Sequence, residues 1–159
     1  MKLSHIKEDR AIMVDIGSKP DVSRRAVAEG EIHLRDETLE AIEKKKIEKG
    51  EVLGTARIAA IMAIKNTSSV IPMCHQIPVN SIDIRFEKGD GVIKVIVEVK
   101  SSGKTGVEME ALHGVSVALL TIWDMVKSAE KDDTGNYPFT RINNIRVLEK
   151  TKSKEKLYE

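Results

Sequence analysis

A chain of 159 residues is long enough to bury one proper core and too short for two large domains, so a single domain is expected. Its 26 Lys and Arg stand against 25 Asp and Glu, and a net charge of +1 gives no overall electrostatic reason to expect nucleic acid, a membrane surface or a strongly acidic partner. The single cysteine, Cys74, excludes an intramolecular disulfide and a multi-cysteine zinc site, and fits a reducing, cytoplasmic setting.

The start MKLSHIKEDR lacks the hydrophobic segment of a signal peptide, and residues 1–21, polar and punctuated by Gly and Pro in DIGSKPDVS, read as a flexible N-terminal arm. RAVAEGEIHL alternates small apolar with polar residues and predicts a strand over 26–34. DETLEAIEKKKIEKG predicts a short charged helix, with Asp36 as its N-cap and Gly50 as its stop. EVLGTARIAAIMAIK, 51–65, is apolar on more than one stripe and predicts a buried helix. In SIDIRFE, 81–87, Ile82, Ile84 and Phe86 point one way and Asp83, Arg85 and Glu87 the other, as in a half-buried strand. KGDG, 88–91, turns it into VIKVIVEVK, 92–100, to make an antiparallel hairpin. A long helix over 109–131 and a last strand over 140–150 follow, and 151–159 read as a frayed tail. No apolar run reaches the roughly 18 residues that cross a bilayer.

Leaving the short charged helix aside, the order is β-α-β-β-α-β. This is an α+β, ferredoxin-like arrangement in one domain over 22–150, an antiparallel sheet covered on one face by two main helices.

The segment GKTGVEMEALHG, 103–114, poses the sharpest chemical question. A phosphate-binding P-loop needs a glycine five residues before its GK, and Glu98 stands there, so the Walker reading fails and GKTG is a turn between hairpin and helix. Along the helix, Glu110, His113, Val117, Leu120, Asp124 and Lys127 recur at spacings of three and four, apolar in the middle and ionisable at both ends. Asp124 and Lys127 are either a surface ion pair worth roughly a few tenths of a kcal/mol or an acid/base pair. Glu110 and Lys127 stand about 25 Å apart at roughly 1.5 Å per residue, too far to serve one small molecule within one chain. If both are functional, the site is shared between subunits.

In SSVIPMCHQIP, His75 sits between Pro72 and Pro78. Adjacent Cys74 and His75 are poorly spaced for one metal, and no structural metal is expected. His75 is either a core residue bonded to backbone or a partner for a polar heterocycle. The basic residues Arg24, Arg25, Lys49, Lys127 and Lys150 are scattered, and only convergence in space makes them a phosphate site.

MVDIGSKPDVSRRAVAEG, KGEVLGTARIAAIMAIKNTSSVIPMCHQIP and, most specifically, GKTGVEMEALHGVSVALLTIWDMVK resemble the MoaC family, the cyclic pyranopterin monophosphate synthases of molybdenum cofactor biosynthesis. The resemblance runs from about Met13 to Lys150. It implies a lyase acting on 3′,8-cyclo-7,8-dihydroguanosine 5′-triphosphate: the guanine-derived rings rearrange to a pyranopterin, a cyclic phosphate forms and pyrophosphate leaves. It also implies a ferredoxin-like fold in a homohexamer, a trimer of dimers with active sites between subunits.

By motif, the resemblance makes Asp124, Lys127 and Lys49 catalytic. It places Met73, Cys74, His75, Glu108, Met109 and Glu110 around the guanine-derived moiety, with both glutamates accepting from its N–H groups. Arg24 and Lys150 become phosphate ligands, and Asp15 approaches when substrate binds. A lysine crowded by cations and partly desolvated is expected to titrate near neutrality. No cofactor is required, although a divalent ion can accompany the triphosphate. Of other classes, an RNA-binding ferredoxin-like module is disfavoured because VIKVIVEV carries no aromatic to stack on a base. A non-catalytic nucleotide sensor predicts binding without turnover.

Overall fold

The computed structural model describes residues 6–7 and 10–153. Within the arm, β1 (Ile6–Lys7) and β2 (Arg10–Ala11) pair as a short antiparallel ribbon that the sequence pattern does not announce. The main sheet holds β3 (Val22–His33), β4 (Val79–Gly89), β5 (Val92–Gly103) and β6 (Arg141–Ser153), in the order β4-β5-β3-β6 with every neighbour antiparallel. Between β3 and β4 run α1 (Asp36–Glu43), α2 (Val52–Lys65) and the single turn α3 (Thr67–Val70); α4 (Glu108–Glu130) crosses from β5 to β6. The α+β, ferredoxin-like expectation is met, with α3 as one helix more than predicted.

Alternation decides which face of the sheet is covered. Ile93, Val95, Val97 and Val99 of β5 are all fully buried and share one core with Ala111, Val115, Ala118, Leu119 and Ile122 of α4 and with Ala56, Ala60 and Ile64 of α2. Apart from Val27 and Ile96, the opposite face of β3 and β5 is ionic: Arg25 lies between Glu98 at 2.6 Å and Glu149 at 2.8 Å, and Arg146 meets Glu29 at 2.7 Å. Two glycines let α4 lie close to its neighbours. A Cβ on Gly30 of β3 would meet Val115 Cγ1 at 2.7 Å and Leu119 Cδ1 at 2.8 Å, and one on Gly114 would meet Ile64 Cδ1 and Cγ1 at 2.7 Å.

By length and composition α4 is able to cross a membrane, which corrects the reading that no segment qualifies. Here its apolar side is the core of the domain. The stripe of Val117 and Leu120 points elsewhere, with Leu120 60% exposed.

Several boundaries move for identifiable reasons. Asp36 is the first residue of α1 and Arg35 its cap, without a side-chain capping bond. The helix stops at Glu43, well before Gly50, because Lys45 adopts φ 54° and closes the end with bonds from Lys45 N–H to Ile42 O and from Lys46 N–H to Ala41 O. Instead Glu51 caps α2, its carboxylate accepting from the N–H groups of Leu53 and Gly54. Residues 151–153, expected to fray, continue β6 because Thr151, Lys152 and Ser153 pair with Arg25, Arg24 and Ser23 of β3. The rest of the predicted tail, 154–159, lies outside the described residues.

Candidate active site

The candidate residues fall into three groups distributed along α4. At its C-terminal half, Asp124 holds two lysines at once. Lys127 Nζ, one turn on, reaches Asp124 Oδ1 at 2.8 Å, and Lys49 Nζ, from the link between α1 and α2, donates to Asp124 Oδ2 and to the Asp124 carbonyl, both at 2.8 Å. All three side chains are open to solvent. Beside them Trp123 and Tyr137 meet edge to face at 5.7 Å. The hydrogen bonds from Lys127 and then Lys49 pull the Asp124 carboxyl down to about 2. Asp124 in turn raises the Lys127 ammonium above the ordinary lysine value, first by its hydrogen bond and then by its charge. For Lys127 the carboxylate in contact therefore outweighs the nearby cation, and its ammonium moves up where a shift towards neutrality was expected.

At the N-terminal end of α4, Met73, Cys74, His75, Met109 and Glu110 line one cavity of about 420 Å³, closed on one side by Val14 and Ile16 of the arm. His75 Nε2 lies 2.7 Å from the Val14 carbonyl; a carbonyl only accepts, so Nε2 carries a proton. The proline-bounded segment thus hands its histidine to the arm. Burial raises the Cys74 thiol, with the charge of Glu110 adding to it.

Glu110 is 4% exposed and its Oε2 has no hydrogen-bond partner, whereas Glu108, two residues earlier, ion-pairs with Lys150 at 2.6 Å. Burial therefore pushes the Glu110 carboxyl up, and the charge of Glu108 adds to it. Burial also acts on Glu108, but the Lys150 hydrogen bond, its own backbone N–H and the charges of Lys150 and Arg24 together hold it below the usual carboxylate range. The sequence reading gives both glutamates one role. Their environments give them opposite protonation tendencies, a pattern typical of acid and base assignments.

The third group contains Arg24, Glu108 and Lys150, which line a neighbouring cavity of about 470 Å³ with Arg25 and Lys152. Arg24 is fixed by donating from Nε to the Gly103 carbonyl at 3.4 Å and from Nη2 to that of Lys104 at 3.3 Å. The GKTG turn is the hinge of the arrangement: Thr105 and Gly106 line both this cavity and the His75 cavity. Asp15 stands apart, exposed, its Oδ1 accepting the Gly17 N–H at 2.7 Å.

The profile of the MoaC family matches residues 13–153. The chain belongs to the MoaC family. It is 64% identical over 151 residues, 95% of each chain, to the probable cyclic pyranopterin monophosphate synthase of Methanococcoides burtonii. It is 56% identical over 152 residues to the protein of the same name in Pyrococcus furiosus, covering 96% of this chain and 97% of that one. A relative in Methanothermobacter thermautotrophicus, 58% identical over 151 residues and 95% of each chain, is named a probable cyclic pyranopterin monophosphate synthase accessory protein.

In this MoaC chain the structure unites Lys49 with Asp124 and Lys127, and His75 with Met73, Cys74, Met109 and Glu110. It does not bring the first set to the second, since α4 runs unbroken over 23 residues between them. Sequence reasoning missed Lys19, Lys104 and Lys152, which line the cavities around the GKTG turn. The available signal for Lys104 was its place between two glycines of that turn.

Proposed function

We propose that this chain is a cyclic pyranopterin monophosphate synthase of molybdenum cofactor biosynthesis. Its substrate is (8S)-3′,8-cyclo-7,8-dihydroguanosine 5′-triphosphate, and its products are cyclic pyranopterin monophosphate and pyrophosphate, which makes it a lyase. The observation that carries this reading is the Lys49–Asp124–Lys127 cluster, three charged side chains from two parts of the chain held in contact at 2.8 Å on an exposed surface. Such an arrangement contributes little to stability and concentrates proton-transfer groups.

The roles follow from the local chemistry. Lys127 enters as the proton donor to the rearranging ring, because Asp124 keeps its amine charged. Asp124 remains ionised at neutral pH; it aligns both lysines and stabilises positive charge that develops beside it. At the other end of α4, His75 and Glu110 grip the guanine-derived edge once the arm yields; burial makes Glu110 the readier of the two carboxyls to carry a proton, and Glu108 the readier to accept from N–H. Arg24 and Lys150 offset the charge of the departing pyrophosphate. No organic cofactor is needed for these steps, and a divalent ion can accompany the triphosphate.

A complete site needs both ends of α4, about 25 Å apart along one helix. We place it between subunits of a cytoplasmic homohexamer, a trimer of dimers built on the 22–150 domain, with neither nucleic acid nor membrane as partner. A second reading, a non-catalytic binder, draws on the accessory-protein name of the Methanothermobacter relative. The deciding experiment supplies the cyclised dihydro-GTP in situ from the radical enzyme that makes it, and measures pyrophosphate together with the fluorescence of the oxidised pterin. Both products, both lost in Lys127→Ala, support the synthase. Binding without release supports the accessory reading.

A further inference from the structure

The link between α4 and β6 sets a tyrosine beside the Lys127 cluster that the mechanism above does not use. The link closes on itself through one side chain. Asp132 Oδ1 accepts from the N–H and the hydroxyl of Thr134 at 2.9 and 2.7 Å and from the Asn136 N–H at 2.9 Å, while the Asp132 N–H donates to the Asn136 carbonyl at 2.9 Å. An aspartate that bonds the backbone just ahead of it fixes a turn. The next residue, Tyr137, is thereby held in one direction, and its ring meets Trp123 edge to face, with centroids 5.7 Å apart and planes at 62°. Trp123 is a firm support, since it packs against the core. On α4 it stands four residues before Lys127, and residues four apart share a helix face, with Cβ atoms about 5–6 Å from each other. A ring resting on Trp123 therefore borders Lys127. The influence reaches the lysine: Asp124 raises the Lys127 ammonium most, by its hydrogen bond and then its charge, and the charge of Tyr137 adds to the rise.

Tyr137 is also uncommitted, because its hydroxyl makes no hydrogen bond among the described residues. Lys127 has room for a further acceptor: an ammonium carries three donors, and Asp124 Oδ1 at 2.8 Å takes one. The remaining charged group of the cluster, Lys49, lies on the other oxygen of Asp124 and offers no acceptor. We propose that Tyr137 is a positioning residue for Lys127, its phenol oxygen serving as the second acceptor of the ammonium. Asp124 from within the helix and Tyr137 from the link then hold Lys127 between them, and the third N–H is left for the rearranging ring. This rests on the synthase reading, in which Lys127 is the proton donor. A phenol oxygen accepts from an ammonium whether or not it keeps its own proton, so the role does not depend on ionisation of Tyr137.

The test removes the hydroxyl alone. Tyr137→Phe keeps the ring against Trp123, whereas Tyr137→Leu removes both. With lysines labelled at Cε, the titration of Lys127 is followed by NMR in the full-length protein without substrate. Its signal is assigned by its absence from Lys127→Arg, and Lys88, paired with Glu43, serves as the reference. Because Tyr137 raises Lys127, Tyr137→Phe is expected to bring the Lys127 midpoint down and to leave Lys88 where it is. In the pyrophosphate assay the same variant is expected to lose about tenfold in kcat at unchanged KM and unchanged melting temperature, and Tyr137→Leu to lose no less. A ring that merely packs gives a different pattern: Tyr137→Phe matches the wild type in both readouts and only Tyr137→Leu is impaired. That result overturns the proposal, and so does a fall in kcat with an unmoved Lys127 titration. A wild type without turnover defeats the synthase reading instead, and the titration then decides alone whether Tyr137 acts on Lys127.

Discussion

Lys49 Nζ and Asp124 Oδ2 are 75 residues apart in sequence and 2.8 Å apart in space. The contact exists because α2 packs along α4 and the link before α2 delivers Lys49 to the same turn that carries Lys127. Asp124→Asn keeps the shape and removes the charge that organises both lysines. Pyrophosphate release is expected to fall by about 100-fold or more. The melting temperature should hardly move, because an exposed ion pair contributes little. Unchanged turnover would remove Asp124 from the mechanism.

The same contact sets a pH window. Asp124 has a folded-state value of about 2, below the ordinary 3.8, so its contribution to stability is present above pH 3.8 and is lost as pH falls through about 2. Lys127 is raised above 10.5, so its contribution is present below 10.5 and lost as pH rises through the folded value. Neither group should titrate between about pH 5 and 9 in the free chain. Carboxyl carbon shifts of Asp124 followed by NMR across that range are expected to be flat, and a transition within it would contradict the charged cluster.

Glu110 behaves in the opposite sense. Its folded-state value is raised, first by burial and then by Glu108, so the stability it contributes is full below 4.5 and declines as pH rises through the folded value. Glu110→Gln should therefore melt at a higher temperature than the wild type at pH 8 and at a similar temperature at pH 4. Thermal melts at the two pH values check this. A variant that is less stable at pH 8 would show that the carboxylate has found a partner.

Gly114 ties packing to the site. Alanine there gains up to about 1 kcal/mol of helix propensity, but its Cβ would strike Ile64, a side chain that is 1% exposed and cannot retreat. The overpacking should dominate, with a net loss of about 1–3 kcal/mol and a melting temperature lower by several degrees. Because α2 must shift, Lys49 should lose its register with Asp124, so turnover falls by more than the folded fraction does. Chemical denaturation combined with the pyrophosphate assay separates the two effects.

The strands and the two main helices are legible in the sequence because alternation and buried stripes are local patterns. Val97 and Val99 report their face from their neighbours alone. The ends are less legible. Nothing in TKS marks a strand, and residues 151–153 extend β6 only because β3 offers Ser23, Arg24 and Arg25 as partners. The candidate residues were readable by motif, but their electrostatics were not. Whether a lysine is raised or lowered depends on which charge is in contact, and for Lys127 that is Asp124. The different fates of Glu108 and Glu110 likewise arise from Lys150, which reaches one of them from another strand.

The unbroken α4 gives the strongest prediction about assembly. With 23 residues in the helix, the cluster around Lys127 and the cavity around His75 cannot meet on one small molecule within a chain, since 17 residues separate Glu110 from Lys127 and span about 25 Å. If subunits complete each other's sites, Lys127→Ala and His75→Ala proteins, each inactive alone, should recover activity when unfolded together and refolded as a mixture. In an equal random mixture, half of the chains offer an intact Lys127 and the other half an intact His75. About a quarter of the sites are then whole, and turnover should approach a quarter of the wild type. Recovery near that level requires the shared site, and a mixture as inactive as its parents would confine each site to one chain.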